Sequence, residues 1–152
     1  MFMPALKRVI RLSEKSRREP FLGSTFYVVD LVEPVLDDFR YAFVGERTVN
    51  GTACRLVESV PKDPAKHLYG KTVAAIDPVE LVVWQSELYD QERAPFKILT
   101  VEKFEKIDGH WTPRVQRMKD LRDGEVSILD LQEIEYDAPL LDETFELAHL
   151  LR

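Results

Sequence analysis

Arg40-Tyr-Ala-Phe-Val-Gly-Glu-Arg-Thr-Val49, then Asn50-Gly51, then Thr52-Ala-Cys-Arg-Leu-Val-Glu-Ser-Val60: two β-rich runs meet at a dipeptide that accepts positive φ. That is the sequence of a hairpin with a two-residue turn. Phe39, Tyr41 and Phe43 alternate with Arg40 and Ala42, which gives the first strand one apolar face. The same grammar recurs at Asp108-Gly109, between runs 96–107 and 111–121, and at Asp123-Gly124, ahead of run 125–136. Between these, run 71–76 closes at Asp77-Pro78 and run 81–89 closes at the polar stretch 90–93. Seven strands follow, eight with Ala5 to Leu12, joined by short turns in a sequential antiparallel meander. Several exceed the common length of ~5–6 residues, so the sheet is long and strongly twisted. In the last strand the apolar phase switches between Val126/Ile128 and Leu129/Leu131, the mark of a bulge or of a strand covered on both sides.

Helix is scarce. Val28, Leu31, Val32, Val35 and Leu36 recur near a 3.6 period, which predicts a short helix over 28–38, broken by Pro34. Asp142 to Leu151 reads as a brief terminal turn with Asp142 as N-cap. The expected fold class is therefore mainly β: a long curved antiparallel sheet with one or two short helices.

The 152 residues make one ordinary domain, 45% hydrophobic and 32% charged, which is neither a disordered tail nor a membrane span. One cysteine, Cys54, excludes an internal disulfide and a Cys-rich zinc cage. Net charge of −6 argues against a nucleic-acid partner. Residues 1–18 nevertheless carry six Lys and Arg against Glu14. Such a stretch could suit an anionic surface or acidic partner, but it reads first as a solvated edge strand whose cations discourage edge pairing. No run of ~18 apolar residues exists, so no helix spans a membrane, and no export signal is visible.

Chemistry is hard to find. Asp37 and Asp38, and the group Asp137, Asp142, Glu143 and Glu146, lack the glycine and oxygen spacing of a calcium loop and read as solvated turn charges. Cys54 sits mid-strand, where a buried, inert thiol is expected. His67, His110 and His149 share no metal-ligand spacing, and the first two are expected to be exposed. Phosphate-loop, dinucleotide and nucleophile-elbow motifs are absent. We therefore expect no catalytic residues, no metal and no cofactor. Aromatic residues, by contrast, occur on nearly every element, more than two short helices could cover. Either they fill a closed barrel core or they line a half-open concave face that takes an apolar ligand.

Phe21-Leu-Gly-Ser-Thr-Phe26, followed by Asp30-Leu31, resembles the "GSDF…EDL" stretch of the bacterial outer-membrane lipoprotein-sorting protein family, relatives of the periplasmic lipoprotein carrier LolA. Later landmarks follow in family order: Gly45, Val49-Asn-Gly51, the strand through Cys54 to Pro61-Lys62, Ile76-Asp77, Asp108-Gly-His-Trp-Thr-Pro113, Met118 and Phe145-Glu-Leu. Met3-Pro-Ala-Leu-Lys-Arg8 is similar to the strand that precedes the Gly-Ser segment in such proteins. Thr25 stands where the pattern has Asp, and Val28-Val29 where it has a polar pair.

The resemblance implies a LolA-like half-barrel wrapped over short helices, with the chain as a single lipoprotein- or lipid-binding domain, N-terminally incomplete, matching the C-terminal two-thirds of such a protein. It implies a non-enzymatic carrier that binds lipoprotein acyl chains or lipid in the periplasm for outer-membrane lipoprotein sorting, with an envelope transport partner. The resemblance places Phe26 and Leu31 beside the cavity. Phe43, Trp84, Phe104 and Trp111 join them as large apolar side chains on separate strands. A homodimer that buries the bare sheet face or pairs the first strand across chains is expected as well. The alternative is an interaction module with a fully packed sheet and no ligand cavity.

Overall fold

At Asn50-Gly51 the two φ angles are 49° and 82°, and at Asp108-Gly109 they are 49° and 88°. Two consecutive positive values are what a type I′ hairpin turn requires, and glycine meets the second without steric cost. A computed structural model describes residues 2–3, 8–9 and 16–141 of the chain. β1 (Phe2–Met3) and β2 (Arg8–Val9) form a two-stranded ladder of their own. The main sheet runs β3 (Phe39–Val49), β4 (Thr52–Pro61), β5 (Lys71–Ile76), β6 (Val83–Tyr89), β7 (Pro95–Ile107), β8 (His110–Asp120) and β9 (Val126–Asp130). Spatial order equals sequence order and every pairing is antiparallel. β3 and β9 are not paired with each other, so the curved sheet stays open. Register shifts at Val44, Trp84, Phe96, Glu102 and Arg114 add bends along it.

Three expectations change. The broken helix over 28–38 is two single 3-10 turns, Val28–Leu31 and Leu36–Asp38, with Val32 and Val35 extended between them. Pro34 pushes the residue before it out of the helical region, so the apolar period never becomes a helix. The last strand stops at Asp130 rather than Tyr136. Its neighbour β8 bulges at Arg114, and the final backbone bond runs from Leu131 N–H to the Arg114 carbonyl. Neither a bulge nor two-sided cover explains the phase switch in β9, whose register is regular, with Val126 and Ile128 45% and 57% exposed. Of the expected strand Ala5 to Leu12, Arg8–Val9 is strand; the remainder, and the terminal turn at Asp142 to Leu151, lie outside the described residues.

Register fixes the faces. Phe43, Val57, Ala74, Ser86, Leu99, Met118 and Ser127 are successive cross-strand partners, a row that crosses all seven strands on one side. Phe26 packs on Met118 and Leu88 in that side's core, so this is the inner face. Its other side carries a second small core of Val49, Cys54 and Ala75, with Leu56 and Trp84 against it. Charged pairs surround that outer core, including Arg47–Glu87 at 2.5 Å and Lys71–Glu58 at 3.3 Å.

Candidate binding face

Residues 21–31 form a strap across the inner face over β7, β8 and β9. Their backbone–backbone hydrogen bonds, among the described residues, close within residues 19–31, for example Phe21 N–H to the Phe26 carbonyl at 2.7 Å. Side chains attach the strap to the sheet. Thr25 donates its hydroxyl to the Met118 carbonyl at 2.9 Å, and its N–H donates to Ser127 Oγ at 3.0 Å. Lys97, with a fully buried side chain, donates from Nζ to the Thr25 carbonyl at 2.6 Å. The same ammonium lies 3.4 Å from the centre of the Tyr27 ring and 3.8 Å from Asp30 Oδ2. Asp30 is held in turn by the Tyr69 hydroxyl at 2.6 Å and the Tyr27 N–H at 2.7 Å.

Burial dominates the electrostatics of this cluster. It pulls Lys97 down to about 8, with Asp30 and Asp120 opposing the shift. It raises Asp30 above the usual carboxylate range, against the hydrogen bonds from Tyr69 and Tyr27 and the charge of Lys97. Tyr69 is pushed up by burial and by the Asp30 carboxylate. Beside them Arg122 grips Asp120 through two nitrogens, at 3.2 and 2.8 Å, and stacks 3.8 Å above the Phe96 ring. Every member of the group is engaged with a neighbour, which makes it a fastening.

Two shallow apolar grooves lie on the inner face. The first, about 160 Å³, runs over β6, β7 and β8 among Val83, Ser86, Leu99, Val101, Pro113 and Gln116. The second, about 220 Å³, lies between the strap and β9, walled by Phe21, Leu22, Phe26, Leu31 and Leu129. They adjoin: Gln116 of the first is the register partner of Leu129 of the second, and Leu99 packs against the Phe26 cluster.

The six expected site residues do not share one wall. Phe26, 4% exposed, and Leu31, 39% exposed, line the second groove. Phe43 is on the same inner face, at the β3 end of the row, 64% exposed and away from both grooves. Trp84 and Phe104 pack edge to face at 4.8 Å, with Trp84 against the Cys54 core and neither residue lining either groove. Trp111 donates its indole N–H to the Glu80 carboxylate at 2.5 Å, tying the β7–β8 hairpin to the β5–β6 loop. Large size on separate strands selected these residues, and size carries no information about facing.

Lys97 is the residue that sequence reading missed. Its signal was alternation: Lys97 shares a phase with Leu99 and Val101, the strand's inner residues. Cys54 is buried as expected, and burial raises its thiol. His67, expected to be exposed, is half-buried against the Phe39 ring at 4.6 Å, because the loop after β4 folds back beside Asp38. His110 is exposed, with its ring on Tyr136. Asp37, Asp38 and Asp137 are exposed, whereas Asp142, Glu143, Glu146 and His149 lie outside the described residues. Among the described residues, no group of three His, Cys, Asp or Glu side chains is placed to hold a metal.

A family model described as an uncharacterized protein matches residues 1–152. No curated protein matches the chain. Among solved structures, the chain is similar to one from Vibrio parahaemolyticus described as an outer membrane lipoprotein-sorting protein domain, at 27% identity and a TM-score of 0.88, covering 99% of this chain and 64% of that one. It is similar to a DUF1329 family protein from Desulfovibrio piger at 30% identity and TM-score 0.87, covering 98% of this chain and 62% of that one. A LolA superfamily protein from Nitrosomonas europaea shares the fold at 23% identity and TM-score 0.69, covering 97% and 66%. The chain thus spans less than two thirds of the length of the first two. It belongs to the family whose model covers it from residue 1 to residue 152, and its fold is that of the LolA-type lipoprotein-sorting domains.

Proposed function

We propose that this protein is a non-enzymatic carrier that binds the acyl chain of a lipoprotein or lipid on the inner face of its sheet. The observation that carries the reading is the pair of adjoining apolar grooves on one side of an open sheet, in a fold shared with lipoprotein-sorting domains. An acyl chain suits such a surface because each buried CH₂ contributes about 0.8 kcal/mol without a directional partner. In this reading the protein works in the periplasm and passes its cargo to an envelope partner. Phe26 and Leu31 contact the chain directly, together with Val83, Leu99, Val101 and Leu129.

The test is titration of a fluorescent sixteen-carbon fatty acid against wild type and two variants, with melting curves alongside. Val83→Glu puts a charge on the wall of the first groove at a position already 37% exposed. It is expected to weaken binding by about 2 kcal/mol, the scale for desolvating an unpaired polar group. Val126→Glu, on the outer face, leaves binding unchanged. Absence of binding to a folded wild type rejects the carrier. It favours an interaction module instead, a reading supported by the modest size of each groove and by Gln85, Ser86 and Gln116 in the first.

A further inference from the structure

We infer that the first groove is a subsite for a neutral acyl ester, held through Ser86 and Gln116, and that both grooves discriminate against an ionised head group. The inference rests on the carrier reading and adds which acyl compounds the face takes and where their polar end lies. Ser86 stands in the row of cross-strand partners on the inner face, between Ala74 and Leu99. Gln116 lies in the phase of Met118, paired with Val101 on one side and Leu129 on the other. Both side chains therefore sit among apolar neighbours on the groove wall, and Ser86 is 9% exposed.

Neither is spent on the protein. Among the described residues, the Ser86 hydroxyl and the Gln116 carboxamide have no hydrogen-bond partner. The other polar side chains along the grooves are engaged. Gln85 accepts from Arg47 at 3.1 Å and donates to Thr100 Oγ1 at 3.3 Å. Ser24 donates to the Phe21 carbonyl at 2.6 Å, and Ser127 Oγ accepts the Thr25 N–H at 3.0 Å. A polar group on an apolar wall costs stability unless something bonds it, so two free ones in the same groove are placed for a ligand. What they offer is an O–H donor and an NH₂ donor. An ester answers them with carbonyl oxygens and brings no donor of its own to be left unpaired. A carboxylate or phosphate fits less well. No charged side chain lines either groove, and Arg47, the cation that touches Gln85, is paired with Glu87. An anion there loses water and gains no counter-charge. The second groove, with its hydroxyls already bonded, is left to hydrocarbon.

The experiment titrates the full chain at pH 8 with a fluorescent sixteen-carbon fatty acid and with the methyl ester of the same probe. Wild type is expected to bind the ester about tenfold more tightly than the ionised acid. Ser86→Ala and Gln116→Met each weaken the ester about fivefold and leave the acid within about twofold. Their melting temperatures hold or rise, because a hydroxyl or amide without a protein partner contributes nothing to folding. Two competitors with eight-carbon chains separate the sources of such an ester. A synthetic diacylglyceryl lipopeptide displaces the bound ester probe, and a phosphatidic acid does so roughly tenfold less well. Equal affinity for acid and ester overturns the subsite and leaves the carrier standing. So does an unchanged ester affinity in both variants, or equal displacement by the two competitors. A lower melting temperature in Ser86→Ala makes its hydroxyl structural and overturns its assigned role. If neither probe binds folded wild type, both readings fall. Should Gln116→Met fail to fold, Ser86→Ala decides alone.

Discussion

Lys97 and Asp30 form a buried pair whose members are each costly to leave alone, with side chains 0% and 4% exposed. Removing the carboxylate strips Lys97 of its counter-charge and orphans the Tyr69 hydroxyl, so Asp30→Ala is expected to cost about 3 kcal/mol in denaturant unfolding. The double variant Asp30→Ala/Lys97→Met should recover much of that loss, because apolar groups of similar volume carry no desolvation penalty. A double variant as unstable as the single would contradict the account. Lys97 also sets a pH dependence. Burial holds it at about 8 in the folded chain against an ordinary 10.5. Between those values the unfolded state binds more protons, so stability rises with pH across that window. Asp30, Asp120 and Asp123 face the ammonium and oppose the shift, and Arg122 adds to it. The Tm of wild type relative to Lys97→Met should therefore climb from pH 8 to 10.5, and a flat difference would argue against the buried cation.

Elements here are held by two kinds of glycine. Gly109 supplies a φ of 88° at a hairpin tip with open space around a would-be Cβ, so Gly109→Ala costs only backbone strain, about 1 kcal/mol. Gly70 has no such angle but lies against the next loop, where a Cβ would meet the Asp90 carbonyl oxygen at 2.5 Å and Gln91 Cα at 2.9 Å. Both contacts are backbone and cannot rotate away. Gly70→Ala is expected to cost more than Gly109→Ala, about 2 kcal/mol or above, in equilibrium unfolding. It should also disturb the strap, since Gly70 follows Tyr69, whose hydroxyl holds Asp30. Equal losses at the two glycines would sink the comparison.

On the scale of the whole molecule, the inner face is unevenly covered. Its β7–β9 side lies under the strap, while Tyr41 and Phe43 on β3 are 50% and 64% exposed. Large apolar patches seldom stay bare on a monomer, so self-association through this region is the expected outcome at high concentration. Light scattering reads it directly, and Phe43→Lys should shift any dimer toward monomer with little change in melting, given the exposure of that side chain. A monodisperse wild-type monomer at high concentration would count against self-association.

Strand positions were legible in the sequence because their determinants are local. Asn50-Gly51 and Asp108-Gly109 fix the turns, and two-residue alternation marks the runs they join, so run 71–76 was read to the residue. Where a non-local partner decides, the reading failed: β9 ends early where its neighbour β8 bulges at Arg114. Alternation sorts Phe43, Trp84 and Phe104 into two sides but is symmetric between them, and only the strap resting on Met118 marks one side as inner. The burial of Lys97 has the same origin. Its partner Thr25 is 72 residues away, and no window along the chain contains both. The sequence by itself determined the hairpins and their order, since φ preference and side-chain period act between neighbours. Only the tertiary structure decided the face, the fastening and the grooves, since burial depends on which distant segment comes to lie on top.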